Sequence, residues 1–474
     1  MLFNSFEFWI FFAVVFTLQL ALAGRARNTI LLLSSYAFYA AWDWRFLSLI
    51  WISTAVDFLV GRALASPRAV GARRRALVTT SIVVNLGILG AFKYAGFFAE
   101  SLQALTAVAG IELGRFTLDV VLPVGISFYT FQTLSYTIDV YRGRLEPTRN
   151  VLDFALYVAF FPQLVAGPIE RAVNLLPQIR EGPRADWDRF GSGCWLVLWG
   201  LFKKVVIADN LAPLVDAVYA PGAAPTGGEI LLATYAFVVQ IYCDFSGYTD
   251  IARGVARMMG FELMRNFALP YFSVNPAEFW NRWHISLSTW LRDYLTYPMS
   301  RGLMRRVPAR FHESAVLSSL FVTMTLCGLW HGAAWTFVLF GAVHGAWLVL
   351  HRGARRWLPS FQKSAGWTFL KWLFTFHVLC ATFVIFRAES VPQAFGLLAG
   401  LANLEPGIAA DWILPFLALV LPLVAIQLAE RFGRSAEIVL RWPYVARAAF
   451  YFAVLLVILV QGEDGGDPFI YFQF

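Results

Sequence analysis

The chain has 474 residues, of which 59% are hydrophobic and only 14% charged. Soluble proteins carry roughly 25% charged residues, so the composition excludes a globular protein with a single anchor and indicates a multi-span membrane protein. The net charge of +8 does not argue for nucleic-acid binding, because the basic residues cluster in short loops between apolar runs, where they set topology.

The first apolar run covers residues 6–23. Its end, Ala21-Leu22-Ala23, mimics a signal-peptide cleavage site, but Met1 to Phe8 holds no Lys or Arg and Glu7 makes that end acidic. The run therefore reads as a retained first span. Further runs fall near residues 29–41, 46–60, 76–92, 117–138, 151–166, 194–208, 230–247, 314–330, 333–350, 370–386, 412–428 and 446–461. Several are shorter than the roughly 20 residues an upright span needs, so about eleven to thirteen crossings are expected, some tilted or re-entrant. The expected fold class is an all-α polytopic membrane protein.

Arg25 and Arg27 follow the first run, and Arg62, Arg68, Arg73, Arg74 and Arg75 follow the third. Both loops are expected in the cytoplasm, which puts the N-terminus outside. The tail 462–474 carries Glu463, Asp464 and Asp467 and no basic residue, and is also expected outside. No linker or internal repeat divides the chain, so a single membrane domain over 1–474 is the simplest organisation. The missing repeat also weighs against common transporter folds. Cys194, Cys243, Cys327 and Cys380 form no C-x-x-C pair. They read as small buried hydrophobes, with no metal site or disulfide framework indicated.

The stretch between Asp250 and Glu313 is the longest without a clear span. It contains Arg253, Arg257, Arg265, Arg282, Arg292, Arg301, Arg305, Arg306 and Arg310, interleaved with Phe279, Trp280, Trp283, Trp290, Tyr294 and Tyr297. Mixed rings and arginines suit the membrane–water boundary on the cytoplasmic side. Such a surface could attract an anionic donor, a coenzyme A thioester or an acidic carrier protein. It could equally fix topology and bind lipid phosphates.

From Ser314 to His351 there is no Asp, Glu, Lys or Arg, yet His331 stands inside Gly328-Leu329-Trp330-His331-Gly332. An ionisable group in an apolar span is costly and marks a functional-site candidate. Histidine is also suited to proton transfer near neutral pH. The alternative is a packing histidine bonded to a nearby carbonyl. Gly328 and Gly332 permit a helix break or a close backbone approach, either of which could open a cavity beside the ring. His344 is deep enough to matter, but on one ideal helix it would stand about 140° round the axis from His331. His377 reads as a hydrogen-bonded core histidine, His284 as interfacial, and His312 and His351 as segment-end residues. Asp244 and Asp250 bracket a polar island at the end of a span, suited to lining a cavity or holding an arginine. No G-x-S-x-G elbow, H-E-x-x-H or P-loop occurs.

Three stretches give the chain a resemblance. They are Tyr242-Cys243-Asp244-Phe245-Ser246-Gly247-Tyr248-Thr249-Asp250, the run from Asn275-Pro276 through Phe279-Trp280-Asn281-Arg282-Trp283-His284-Ile285-Ser286 to Asp293-Tyr294, and Gly328-Leu329-Trp330-His331-Gly332 with Trp335 and His344-Gly345. With the ending Phe469-Ile470-Tyr471-Phe472-Gln473-Phe474, they resemble the membrane-bound O-acyltransferase family, most nearly its bacterial polysaccharide branch, typified by the membrane subunit of alginate O-acetylation. The resemblance covers essentially the whole chain, with a signature core at about 230–350 and C-terminal spans within 370–461. It implies a ring of tilted helices around a central catalytic channel, in the bacterial inner membrane. It makes His331 the catalytic histidine and His284 the second signature position. Trp330, Asp244, Asn281 and Trp283, in the same stretches, are expected to support the site or line the channel.

The implied chemistry is O-acetylation of an exported polysaccharide, with acetyl-CoA or another acyl thioester as donor substrate and no bound cofactor. His331 would act as base on a hydroxyl, or as a nucleophile forming an acyl-imidazole. His284 or a backbone N–H would stabilise the oxyanion. Besides the lipid bilayer, the implied partners are an extracytoplasmic acetyltransferase and the polysaccharide, and the tail 462–474 is either a docking element or an interfacial anchor. The alternatives are peptidoglycan O-acetylation, D-alanyl transfer to teichoic acid and, in other classes, an acyl-group transporter without covalent chemistry or an anchoring scaffold.

Overall fold

A computed structural model describes residues 1–111, 121–165, 167–184, 186–357, 364–403, 405, 407, 409–433, 437–462 and 469–470. Every regular element among them is helical. The chain forms two compact units, Met1–Gly193 with Ala252–Met264, and Cys194–Ile251 with Arg265–Phe474.

The first unit contains helices α1 (Phe6–Ala21), α2 (Gly24–Asp43), α3 (Leu47–Leu64), α4 (Gly71–Leu89), α5 (Ala95–Val108), α6 (Ile126–Tyr141), α7 (Val151–Ala159), α8 (Phe161–Leu164) and α9 (Ala172–Glu181). Its polar core is built on Asp57 of α3, which is fully buried. Thr137 donates to it at 2.5 Å and Asn85 at 2.7 Å, and Ser81 donates as well. A carboxylate at membrane depth is tolerated only with such partners, so this one pins α3, α4 and α6 together. All of α6 except Ile138 and Tyr141 is buried.

The second unit contains most of α10 (Trp187–Leu201), a π-helical turn Phe202–Ala208, α11 (Asp209–Tyr219) and most of α12 (Gly227–Met258). The short α13 (Pro276–Arg282) and α14 (Ile285–Leu291) follow, then a second π-helical turn, Arg292–Thr296, and α15 (Tyr297–Met304). The long helices are α16 (His312–His331), α17 (Trp335–Trp357) and α18 (Ala365–Arg387), then α19 (Val391–Gly400), α20 (Ala409–Gly433) and α21 (Tyr444–Gln461). Apolar side chains such as Leu414, Leu421, Leu459 and Val460 stand exposed on α20 and α21, as lipid-facing residues do.

Among the described residues, nine helical stretches are long and apolar enough to cross a bilayer. Four features separate this count from the thirteen apolar runs in the sequence. The runs at 29–41 and 46–60 lie in one helical stretch, Gly24–Leu64, and α1 has only 16 residues. The run at 151–166 breaks at Phe160, whose ψ of 109° leaves the helical region just before Pro162. Residues 117–120 of another expected run lie outside the described residues.

Candidate active site

The turn that carries His284 is built by two chain segments. Asn275 caps α13, its Oδ1 accepting from Glu278 N at 2.9 Å, with Pro276 in the first turn. After Arg282 the chain extends, and His284 adopts φ 43°, ψ 54° before α14 begins. A left-handed conformation costs a non-glycine residue about 1–2 kcal/mol, so the surroundings must impose it. The segment before α13 does this. Ala268 N donates to Arg282 O and Ile285 N to Asn266 O, both at 2.9 Å. Asn266 Oδ1 also accepts from Ser286 N at 3.1 Å and Ser286 Oγ at 2.8 Å, and lies 3.3 Å from His284 Nδ1. His284 has no exposed surface. Burial, with the His331 ring beside it, holds its pKa well below the ordinary histidine value, so the imidazole is neutral.

His331 is the last residue of α16, and Gly332 follows in extended conformation. The flanking glycines serve close approach. A Cβ on Gly328 would stand 2.1 Å from Phe337 O, and one on Gly332 would stand 2.1 Å from the Phe337 ring. Gly341 of α17 meets Met324 O in the same way. Small residues thus bring the two helices together without a break inside α16. The chain reverses between His331 and Trp335, so His331 and His344 lie on different helices, joined through Phe340. Its ring is 6.3 Å from His331 and 4.5 Å from His344.

The two signature histidines are brought together. Their ring centroids are 6.3 Å apart, and the Trp330 ring lies 5.8 Å from His284 and 5.2 Å from His331. Phe245 meets His284 edge-on at 4.7 Å, and Phe386 meets His331 at 5.5 Å. His331 is 3% exposed. Both rings are thus shielded from bulk solvent, which strengthens electrostatic interactions between them.

A cavity of about 560 Å³ approaches this pair. It is lined by Trp280 and Asn281 of α13, Arg292 and Arg301, Met324 and Cys327 of α16, and His351 and Arg352 of α17, among others. Neither histidine lines the cavity, but Cys327, which does, has its Sγ 3.9 Å from His331 Nε2. Arg292 pairs with Asp293 at 2.9 Å and Arg352 with Glu313 at 2.8 Å. Arg301 is exposed and has no ion pair among the described residues. The cavity thus combines apolar walls with three guanidiniums that suit an anion.

The other expected site residues are dispersed. Asn281 lines the cavity. Trp283 is 2% exposed and stacks on Phe279 at 5.5 Å, in a wall with Tyr242 and Phe267. Asp244 is held by Lys204 at 2.7 Å, the same distance at which Lys204 meets Asp209. It binds a lysine, not an arginine, and its Oδ2 accepts from Ile470 N at 2.9 Å. Phe469 then packs on Phe245 at 5.4 Å and Tyr248 at 4.8 Å. This part of the tail is buried inside the second unit. Glu463, Asp464, Asp467 and residues 471–474 lie outside the described residues. Trp280 Nε1 donates to His344 Nδ1 at 3.2 Å, and His344 Nε2 lies 3.1 Å from Thr382 Oγ1. His377 makes its expected hydrogen bonds, to Leu373 O and the Tyr235 hydroxyl, but from an exposed position. In the basic–aromatic stretch, Phe279, Trp280, Trp283, Trp290 and Tyr294 are buried, and of its six rings only Tyr297 is exposed. Short helices fold those rings into the protein interior.

Sequence reasoning missed Asn266, whose role is visible only once the turn is formed, and the cavity face of Cys327. It also passed over Lys203 and Lys204, charged residues inside an apolar run, which were the available signal for a buried ion-pair cluster.

The membrane-bound O-acyltransferase (MBOAT) family profile matches residues 145–387, which include both histidines. The chain is 42% identical over 417 residues to the probable alginate O-acetylase AlgI of Azotobacter vinelandii, covering 87% of this chain and 79% of that protein. It is 32% identical over 402 residues to the peptidoglycan O-acetyltransferase of Helicobacter pylori, covering 79% of this chain and 73% of that one. With the teichoic acid D-alanyltransferase of Bacillus subtilis it shares 28% identity over 276 residues, 56% of this chain and 69% of that protein. The paired histidines on an all-helical membrane scaffold and this extent of likeness have one conclusion: the chain belongs to the membrane-bound O-acyltransferase family and is a multi-pass O-acyltransferase.

Proposed function

We propose that this enzyme moves an acetyl group from a cytoplasmic thioester to an exported, alginate-like polysaccharide, directly or through an extracytoplasmic acetyltransferase, in the bacterial inner membrane. The observation that carries this reading is the arginine-bearing cavity that ends at Cys327, beside His331. Its apolar walls suit a pantetheine-like arm, and its guanidiniums suit the phosphates of coenzyme A or of an acyl carrier. The likeness to probable alginate O-acetylases supports the acceptor class, and the peptidoglycan and teichoic acid enzymes are more distant.

In the proposed reaction, His331 takes the proton of an acceptor hydroxyl. The oxygen attacks the thioester carbonyl, a C–O bond forms and the C–S bond breaks. The thiolate leaves and recovers a proton from the imidazolium, so the products are the ester and the thiol.

Polymer ester content in cells tests the reading. Arg301→Glu is expected to raise the donor KM on the order of 10-fold with kcat nearly unchanged, as loss of a ground-state phosphate contact does. An unchanged KM would remove the cavity from the donor path. An enzyme that esterifies only peptidoglycan or teichoic acid would overturn the acceptor assignment.

A further inference from the structure

Asn266 Oδ1 faces three polar atoms: Ser286 N at 3.1 Å, Ser286 Oγ at 2.8 Å and His284 Nδ1 at 3.3 Å. A backbone N–H can only donate, so the amide atom opposite Ser286 N is the oxygen, and the orientation of the amide is settled by that contact. An amide oxygen only accepts. For His284 to bond with it, the ring proton must sit on Nδ1, and in the neutral imidazole the lone pair is then on Nε2.

We propose that Asn266 is a positioning residue that locks His284 in the Nδ1–H tautomer, leaving Nε2 an acceptor that can stabilise the proton His331 draws from the hydroxyl, instead of a donor to the oxyanion. This rests on the reading that the two histidines are the place of transfer. The left-handed turn contributes to the same end: Asn266 O receives Ile285 N while its side chain receives the next amide and the ring. One residue thus fixes both the backbone and the protonation of His284.

The described contacts of His284 include Phe245 from α12, Asn266 from the segment before α13, and Trp330 and His331 from α16. Of these only His331 titrates. A proton on the His331 ring opposes one on His284.

Purified full-length enzyme labelled with 15N-histidine tests the assignment, with His284→Gln used to identify the His284 signals. The expected spectrum shows a protonated Nδ1 and an unprotonated Nε2; a protonated Nε2 in the neutral ring overturns the proposal. In parallel, Asn266→Ala is expected to lower kcat on the order of 10²-fold with donor KM within about twofold. Asn266→Asp keeps an acceptor and should restore most of the rate. Its carboxylate makes the ring more basic, so the acid limb of the pH–rate profile should move to higher pH. Asn266→Ala with near-normal kcat, or Asn266→Asp as inactive as Asn266→Ala with an unmoved limb, reduces Asn266 to scaffolding. If Asn266→Ala fails to fold, the spectrum of the unmodified enzyme decides. An Nδ1–H signal in an enzyme that transfers no acetyl would sink the functional reading and leave the tautomer assignment standing.

Discussion

Substitution of Gly328 by alanine should move His331 and separate two helices that now touch. The new Cβ would stand 2.1 Å from Phe337 O and 2.8 Å from Gly341 N, whereas ordinary contact begins at 3.4 Å. The backbone must therefore give by about 1.3 Å, the difference of those distances, because the nearest atoms belong to main chain and not to a side chain that can swing away. Overpacking of this kind costs about 1–3 kcal/mol. Gly328 is three residues before His331, so the displacement reaches the site, and a 1 Å misplacement can cost on the order of 10²-fold in rate. The assay is acetyl transfer by purified enzyme, with thermal unfolding in detergent measured on the same preparation. Gly302→Ala is the control: nothing lies within 4 Å of its Cβ, and in a helix this change is neutral or favourable by up to about 1 kcal/mol. If Gly328→Ala keeps full activity and an unmoved midpoint, the close approach of α16 and α17 does not position His331.

Two further outcomes follow from buried charges. Lys204→Met leaves Asp209 and Asp244 buried without their cation, which should cost about 3–5 kcal/mol and loosen the Phe469–Ile470 segment that Asp244 holds; denaturation midpoints and protease sensitivity of the tail report both. Burial pushes the Glu170 carboxyl from the ordinary 4.5 up to about 7, against the hydrogen bond it accepts from Met264 N. The folded state thus binds this proton more tightly than the unfolded one. Its contribution is present below about 4.5 and is lost as pH rises through about 7. Glu170→Gln should accordingly raise the thermal midpoint more at pH 8 than at pH 5, and an equal effect at both would show that Glu170 does not titrate there.

Much of the class was legible in the chain. A long stretch free of Asp, Glu, Lys and Arg, yet holding His331 and His344, pointed to an apolar span and a costly group together, and the structure places His331 at the end of such a helix. The motif around Asn281-Arg282-Trp283-His284 located the second ring. What the sequence did not carry were meetings between distant segments. His284 read as interfacial because its neighbours are arginines and tryptophans; its burial comes from Phe245 and Asn266, which lie 39 and 18 positions earlier. The glycines beside His331 signalled either a break or a close approach, and only the partner Phe337 decides between them. The acidic residues of the tail gave no sign that Ile470 reaches Asp244, 226 residues away in sequence.

Acyl transfer at the His331–His284 pair can be measured on the purified enzyme. Single-turnover transfer of labelled acetyl from a thioester to an acceptor hydroxyl, measured in detergent with His331→Ala beside the unmodified enzyme, tests it most directly. The expected result is loss of transfer on the order of 10²–10⁴-fold in a variant that is correctly inserted and unfolds at the same temperature. Transfer at the normal rate by that variant would contradict it.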